Sequence, residues 1–146
     1  MSKLLLLLST LSLFIVNFIA LPTLANAYEL PIRYVYDGDT ILLKEPALPA
    51  PLSNVSIRLR GIDTPELRGK CEAEVLKAYA AKQHLKSLIG MSKTVTLTNY
   101  KWDKYGGRID ADLIVNGINL SDAMINSGYA VPYLGFGVKT DWCKAP

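Results

Sequence analysis

Histidine, charge of one sign and internal repetition are all nearly missing from this 146-residue chain, and each absence narrows what it can be. Its one histidine, His84, has no second histidine with which to share a metal and falls on the polar side of a predicted helix, so it is assigned no role. A formal net charge of +3, one unit of it from Lys3, is too small to identify a polyanion partner. No repeat or low-complexity tract occurs, and the length allows one domain. Cysteine is scarce as well, with only Cys71 and Cys143.

What the chain has first is an apolar run. It extends from Leu4 to about Leu21, behind Lys3 and ahead of the breaker Pro22, and is followed by the small-residue pattern Ala25-Asn26-Ala27 that a signal peptidase reads. Residues 1–27 are therefore expected to be a signal peptide, and residues 28–146 the mature domain, exported to the periplasm or beyond. An uncleaved anchor is the competing reading, because the run is long and its basic flank is a single lysine. No basic stop-transfer flank follows it. In an oxidising compartment an even pair of cysteines implies a Cys71–Cys143 bridge, tying the chain end to the start of a helix.

Five runs read as strands: Ile32 to Tyr36, Thr40 to Lys44, Val55 to Arg60, Thr94 to Thr98 and Ile109 to Val115. In the third, Val55, Ile57 and Leu59 share one face, which sends Ser56, Arg58 and Arg60 to the other. The three prolines of residues 45–51 predict an extended surface connection. From Cys71 to Ile89 the period becomes helical, with Val75, Ala78, Ala81, Leu85, Leu88 and Ile89 on one face, Cys71 in line with them, and Gly90 as the stop. A shorter helix is expected from about Ser121 to Ser127, with Ser121 as N-cap, Leu120 and Met124 as a staple pair, and Gly128 beyond. Three strands, a helix, two strands and a helix is the order of an OB-type β-barrel, an α+β fold whose exposed faces hold oligonucleotides or oligosaccharides.

Three polar clusters carry the chemistry. Asp37-Gly38-Asp39-Thr40 is by itself a hairpin-turn signal, Asp63-Thr64-Pro65-Glu66 a turn opening a helix, and Asp103 to Arg108 a polar loop. Together they offer more. Asp39, Asp63 and the carbonyl of Thr64 form a hard-oxygen set suited to Ca²⁺, with no histidine or cysteine to favour zinc. Glu66 is a candidate general base. Arg58 and Arg108 are candidates to neutralise charge developing on a phosphate, since a planar guanidinium donates two hydrogen bonds and keeps its charge.

In this order and spacing the three clusters resemble the signature of the thermonuclease, or staphylococcal nuclease, family, over about Ile32 to Tyr133. The resemblance implies a calcium-dependent nuclease cleaving DNA and RNA to 3′-phosphate and 5′-hydroxyl ends. It implies Asp39, Asp63 and Thr64 as metal ligands and Asp37 acting on the metal through water. Glu66 would activate water, and Arg58 and Arg108 would grip the scissile phosphate. Lys104 and Tyr105 match positions that contact a terminal phosphate, and Tyr133, with Trp102 as a weaker second, is a candidate for stacking on a base. A monomer with no protein partner is expected.

Three departures from the best-known pattern stand out. Gly107 is an extra residue before Arg108, so Arg108 is expected to hang from a bulge. Asp110 and Asp112 alternate in the fifth strand, so their shared face is expected to be solvated. The sequence reaches Pro146 soon after Trp142-Cys143, without the long C-terminal helix of the best-known member, and the disulfide is expected to take over its hold. Relatives with a cysteine after Thr-Pro-Glu and a late Trp-Cys look closer. Two other functions fit an OB-type barrel: a catalytically silent nucleic-acid-binding module, and an exported oligosaccharide or protein binder with structural carboxylates. Cleavage after Ala27 is testable directly: N-terminal sequencing of exported material should begin at Tyr28, and full-length chain in a membrane fraction would instead establish an anchor.

Overall fold

The structure, a computed structural model, describes residues 28–44, 54–92, 94–104 and 107–144. The expected signal segment, the connection over residues 45–51 and Tyr105 lie outside the described residues. The elements in chain order are β1 (Tyr28–Val35), β2 (Thr40–Lys44), β3 (Asn54–Leu59), β4 (Ile62–Asp63), α1 (Glu72–Ile89), β5 (Thr94–Trp102), β6 (Arg108–Val115), β7 (Ile118–Asn119), α2 (Leu120–Asn126) and β8 (Val131–Pro132). The five expected strands are β1, β2, β3, β5 and β6.

Antiparallel pairing runs β3-β2-β1-β5-β6, and a parallel pairing of β3 with β6 closes the sheet into a five-stranded barrel. The period-2 pattern decides which side chains fill it. Ile57 and Leu59 of β3 point in with Ile41 and Leu43 of β2, Val95 and Leu97 of β5, and Ala111, Leu113 and Val115 of β6, all buried. Ser56 and Arg58 consequently lie on the outer face beside Arg108 and Asp110, to which they are registered. The parallel closure thus lays two arginines side by side, although 50 residues separate them in sequence.

α1 packs on the barrel through Ala78, Ala81, Leu85 and Ile89, with spacings of three and four that keep one face inward. It begins one residue later than expected. Cys71 is the N-cap in extended conformation, its Sγ accepting from the Glu74 amide, and Gly90, with φ 59°, closes the other end. In α2 the expected cap is corrected: Asn119 accepts from the amides of Ser121 and Asp122, while Ser121 is buried inside the helix with its hydroxyl donating to the Arg60 carbonyl. Asn119 wins because its carboxamide reaches two orphan donors at once. Leu120 and Met124 are then core residues of the helix, not a staple across its entrance.

The Asp-Gly pair between β1 and β2 also works differently from a primed hairpin turn. Gly38 is absent from the positive-φ residues; instead a Cβ there would fall 2.8 Å from Ala81 Cβ and 3.1 Å from Thr64 Cβ. Its smallness lets the first acidic cluster lie against α1 and the second cluster.

Cys71 and Cys143 are disulfide-bonded, with Cα atoms 6.1 Å apart. The bridge fastens the last described segment to the N-terminus of α1 and closes a loop of 72 positions. A Cys71→Ser/Cys143→Ser variant is expected to lose about 2–4 kcal/mol of unfolding free energy. Urea denaturation checks this; a midpoint equal to that of the wild type would show that the bridge adds nothing to stability.

Candidate active site

The start of β2, the end of β3 and the short β4 converge at one rim of the barrel, bringing the first two acidic clusters together. Asp39 and Asp63 are buried, as are Asp37 and Thr64. Arg58 reaches across them: Nη1 donates to Asp39 Oδ1 at 3.2 Å, Nη2 lies 2.8 Å from Asp39 Oδ2 and 3.9 Å from Asp63 Oδ1, and Nη2 also donates to the Ile62 carbonyl. Asp39 Oδ1 further accepts from the Thr40 hydroxyl at 2.8 Å, and Asp37 Oδ1 accepts from the Asp39 amide at 3.2 Å. Asp37, Asp39, Thr40 and Arg58 are therefore linked by hydrogen bonds, and Asp63 joins them only through the longer ion contact with Arg58.

Asp63 is held by residues that sequence reading did not find. The Trp142 indole N–H donates to Asp63 Oδ2 at 3.1 Å, and Lys139 Nζ stands 3.0 Å from Asp63 Oδ1 and 3.0 Å from Glu66 Oε1. The Lys139 contact is an ion pair without hydrogen-bond alignment, so Asp63 Oδ1 is a buried acceptor lacking an aligned donor. Burial works to lower the Lys139 pKa, but contact with Asp63 and Glu66 outweighs it and raises the pKa above the usual lysine value.

Glu74 is a third missed residue. It is buried in the first turn of α1, and its carboxylate accepts from the amides of Glu66 at 3.4 Å and Lys70 at 2.8 Å, so it braces the loop that carries Glu66. A Cβ on Gly69 would come within 2.6 Å of the Glu74 side chain, so glycine leaves room for that brace.

Arg108 stands at the start of β6 in regular register with Ser56. The expected bulge is not beneath it: Gly107 sits in the hairpin loop with φ 71°, and the register shift of the β5–β6 pair falls between Thr98 and Lys101, where Asn99 has φ 48°. Arg108 is oriented by Asp103, which the sequence reading placed in the third cluster without a role and whose Oδ2 accepts from Nε at 2.9 Å and Nη2 at 2.6 Å. The face expected to be solvated is only half exposed. Asp112 accepts from Asn99 Nδ2 at 2.6 Å, while Asp110 keeps one buried oxygen without a partner among the described residues.

Arg58, Glu66, Lys104, Arg108, Tyr133 and Trp102 open on one cleft of about 480 Å³, which Asp110 and Lys139 also line. Trp102 is well exposed there, and Lys104 Nζ donates to the Gly135 carbonyl at 3.3 Å. His84 lies elsewhere, stacked on Tyr129 with ring centroids 4.3 Å apart.

The donor set around Asp39 and Asp63 consists of oxygens, one of them buried without an aligned donor, while both cysteines are consumed in the disulfide and His84 is remote. That chemistry fits a hard divalent cation such as Ca²⁺. Burial dominates the titration of Asp39 and pushes its pKa up to about 7 against the pull of Arg58 and with the help of Asp37. Asp37 is raised too, chiefly by burial.

A closed five-stranded OB-type barrel with buried carboxylates and two arginines at one rim defines the class. Residues 56–141 match the family described as Staphylococcal nuclease homologue, and the chain belongs to that family. It is 29% identical over 119 residues to Endonuclease YhcR of Bacillus subtilis (strain 168), covering 77% of this chain and 9% of that protein. It is 30% identical over 102 residues to an "Uncharacterized endonuclease" of Escherichia coli O157:H7, covering 68% of this chain and 57% of that protein. The chain thus spans a small part of the first relative and somewhat more than half of the second.

The Asp39 shift has a consequence for stability. Its folded pKa of about 7 lies above the ~3.9 of an unfolded aspartate, so across that window the folded chain keeps a proton that the unfolded chain has released. Its contribution therefore favours folding below about pH 4 and is lost as pH rises towards 7. In chelator-containing urea titrations between pH 5 and 7, Asp39→Asn should show a flatter dependence than wild type. Identical slopes would assign the titration to other groups.

Proposed function

We propose that the protein is an exported, calcium-dependent nuclease that hydrolyses phosphodiester bonds of DNA or RNA. The observation that carries this reading is the convergence of Arg58, Arg108 and Glu66 on one cleft, from which Arg58 reaches the buried Asp39 and Asp63. Family membership and relatives named as endonucleases support it. The export arm rests on the first 27 residues alone.

Asp39, Asp63 and the Thr64 carbonyl are the groups that would hold Ca²⁺, with Asp37 acting through water. When bound, the ion supplies Lewis-acid polarisation of a phosphate oxygen. The chain's own residues do the rest. Glu66 accepts a proton from water as the water oxygen bonds to phosphorus and the bond to the 5′ oxygen breaks; the departing 5′ oxygen takes a proton from solvent to become the hydroxyl, and the phosphate stays on the 3′ side. Arg58 and Arg108 donate to the non-bridging oxygens on which charge accumulates, and their own carboxylate partners hold them ready for it. Lys104 and Tyr133 line the same cleft and are assigned to a neighbouring phosphate and a base; Tyr105 shares the first assignment from sequence.

A silent nucleic-acid-binding module has no use for this cluster. Burying carboxylates costs several kcal/mol per ion even after relaxation, and a positively charged groove alone would bind the strand. Cleavage of single-stranded and duplex DNA and of RNA in Ca²⁺ should be seen, and chelation should abolish it. Glu66→Gln is expected to lower kcat by ~10²-fold or more with KM changed little, because it removes the proton acceptor while preserving shape. Arg58→Lys should cost a similar factor. Full activity after chelation and dialysis would remove the metal from the mechanism. Strand binding without cleavage would establish the silent module.

A further inference from the structure

Lys139 has no place in the scheme above, yet its ammonium touches two of its members. It stands 3.0 Å from Asp63 Oδ1, on a proposed metal ligand, and 3.0 Å from Glu66 Oε1, on the proposed base. Asp63 is buried whereas Glu66 and Lys139 are about half exposed and line the cleft, so the lysine joins the cleft to the buried carboxylate behind it.

The segment that delivers Lys139 is fastened at both ends and held between them by little more than the exposed Lys104–Gly135 hydrogen bond. Before it, β8 pairs with β4 and the Tyr133 amide donates to the Gly61 carbonyl at 2.8 Å. After it, the Trp142 indole is bonded to Asp63 and Cys143 is bridged to Cys71. In between, Gly135 and Gly137 both have φ 87°, and Leu134, Phe136 and Val138 are exposed. Little apolar burial holds this span, so Lys139 can withdraw without unpacking the core.

A divalent cation ligated by Asp63 and an ammonium at contact distance from the same carboxylate repel each other and cannot both be seated closely. A carboxylate paired with an ammonium is also a weaker proton acceptor, because the pairing stabilises its charged form. We propose that Lys139 is a tethered counter-cation of the active site: it competes with the divalent cation for Asp63 and holds Glu66 until that cation enters. The inference rests on the calcium reading and adds to it that this chain's own lysine sets the metal affinity. A lysine seated about nine-tenths of the time would weaken the apparent affinity about tenfold, since only the remaining fraction is competent to bind.

Calorimetric titration of CaCl₂ into the mature, disulfide-bonded chain tests this without an activity assay. Lys139→Met should bind Ca²⁺ about tenfold more tightly than wild type, and Lys139→Arg, which keeps the charge, should stay close to wild type. In chelator the thermal midpoint of Lys139→Met should fall, because buried Asp63 loses its ammonium neighbour, so its calcium-induced rise should exceed that of wild type. Equal or weaker calcium binding by Lys139→Met would overturn the competition while leaving the calcium reading intact. No calcium binding by either protein would overturn both. In the wild type, the NMR signals of the Lys139 side chain should move on calcium addition; signals that stay fixed at saturation would also overturn the proposal.

Discussion

The structure turns on the need to keep negative charge buried at the rim of a small barrel. Asp39 and Asp63 lie almost out of contact with solvent, and Arg58 is the guanidinium that reaches both. An unpaired buried carboxylate costs several kcal/mol, and removing one partner of such a pair typically costs about 3–5 kcal/mol. Arg58 only partly compensates: burial still drives the Asp39 pKa up to about 7. The cluster is thus held under electrostatic strain that further positive charge relieves. This is the physical basis for reading it as a cation site, and it accounts for Lys139 lying against Asp63.

Barrel closure sets a cleft beside that cluster. Because β3 and β6 run parallel and pair Ser56 with Arg108 and Arg58 with Asp110, the two arginines share an outer face two residues apart in register. Each is anchored by an aspartate, Arg58 by Asp39 and Arg108 by Asp103, so each guanidinium is held in place by its own carboxylate. Preorganised donors need little rearrangement as charge develops, which is what makes such groups effective in a transition state. Inward residues Ile57, Leu59 and Ala111 make this placement rigid, since a one-residue slip of either strand would bury the arginines and expose the core.

The parts of this arrangement that were legible in sequence are those written locally. Alternation in Val55 to Arg60 reports which face of β3 is wet, and the three- and four-residue spacing of Ala78, Ala81, Leu85 and Ile89 reports the packed face of α1. The pairs Asp37/Asp39 and Asp63/Glu66 are conspicuous because reactive side chains stand close together in sequence. Cys71 and Cys143 were joined correctly because two cysteines permit one intramolecular bridge. Lys139 and Trp142 carry no such mark. They lie 73 positions from Glu66 and 79 from Asp63, and an isolated lysine or tryptophan in a glycine-containing segment reads as solvated loop. Glu74 was hidden for another reason: an acidic residue in the first turn of a helix already has a reason to be there, as a favourable partner of the helix dipole, so its second task of bracing the Glu66 loop left no trace.

These missed residues share a logic that the disulfide exposes. Cys143 is bonded to the N-cap of α1, its neighbour Trp142 donates to Asp63, and Glu74, three residues after the cap, holds the amides of Glu66 and Lys70. One covalent bond therefore fixes the chain end, the helix start and the loop of the proposed base relative to one another. The bridge matters less as a general staple than as a local clamp on the geometry of Asp63 and Glu66. Beyond that clamp, the span from Leu134 to Lys139 meets the cluster through an ion pair and exposes its apolar side chains. Rigid support on one side of Asp63 and a retractable charge on the other let a buried carboxylate exchange its counter-ion without loss of the fold around it.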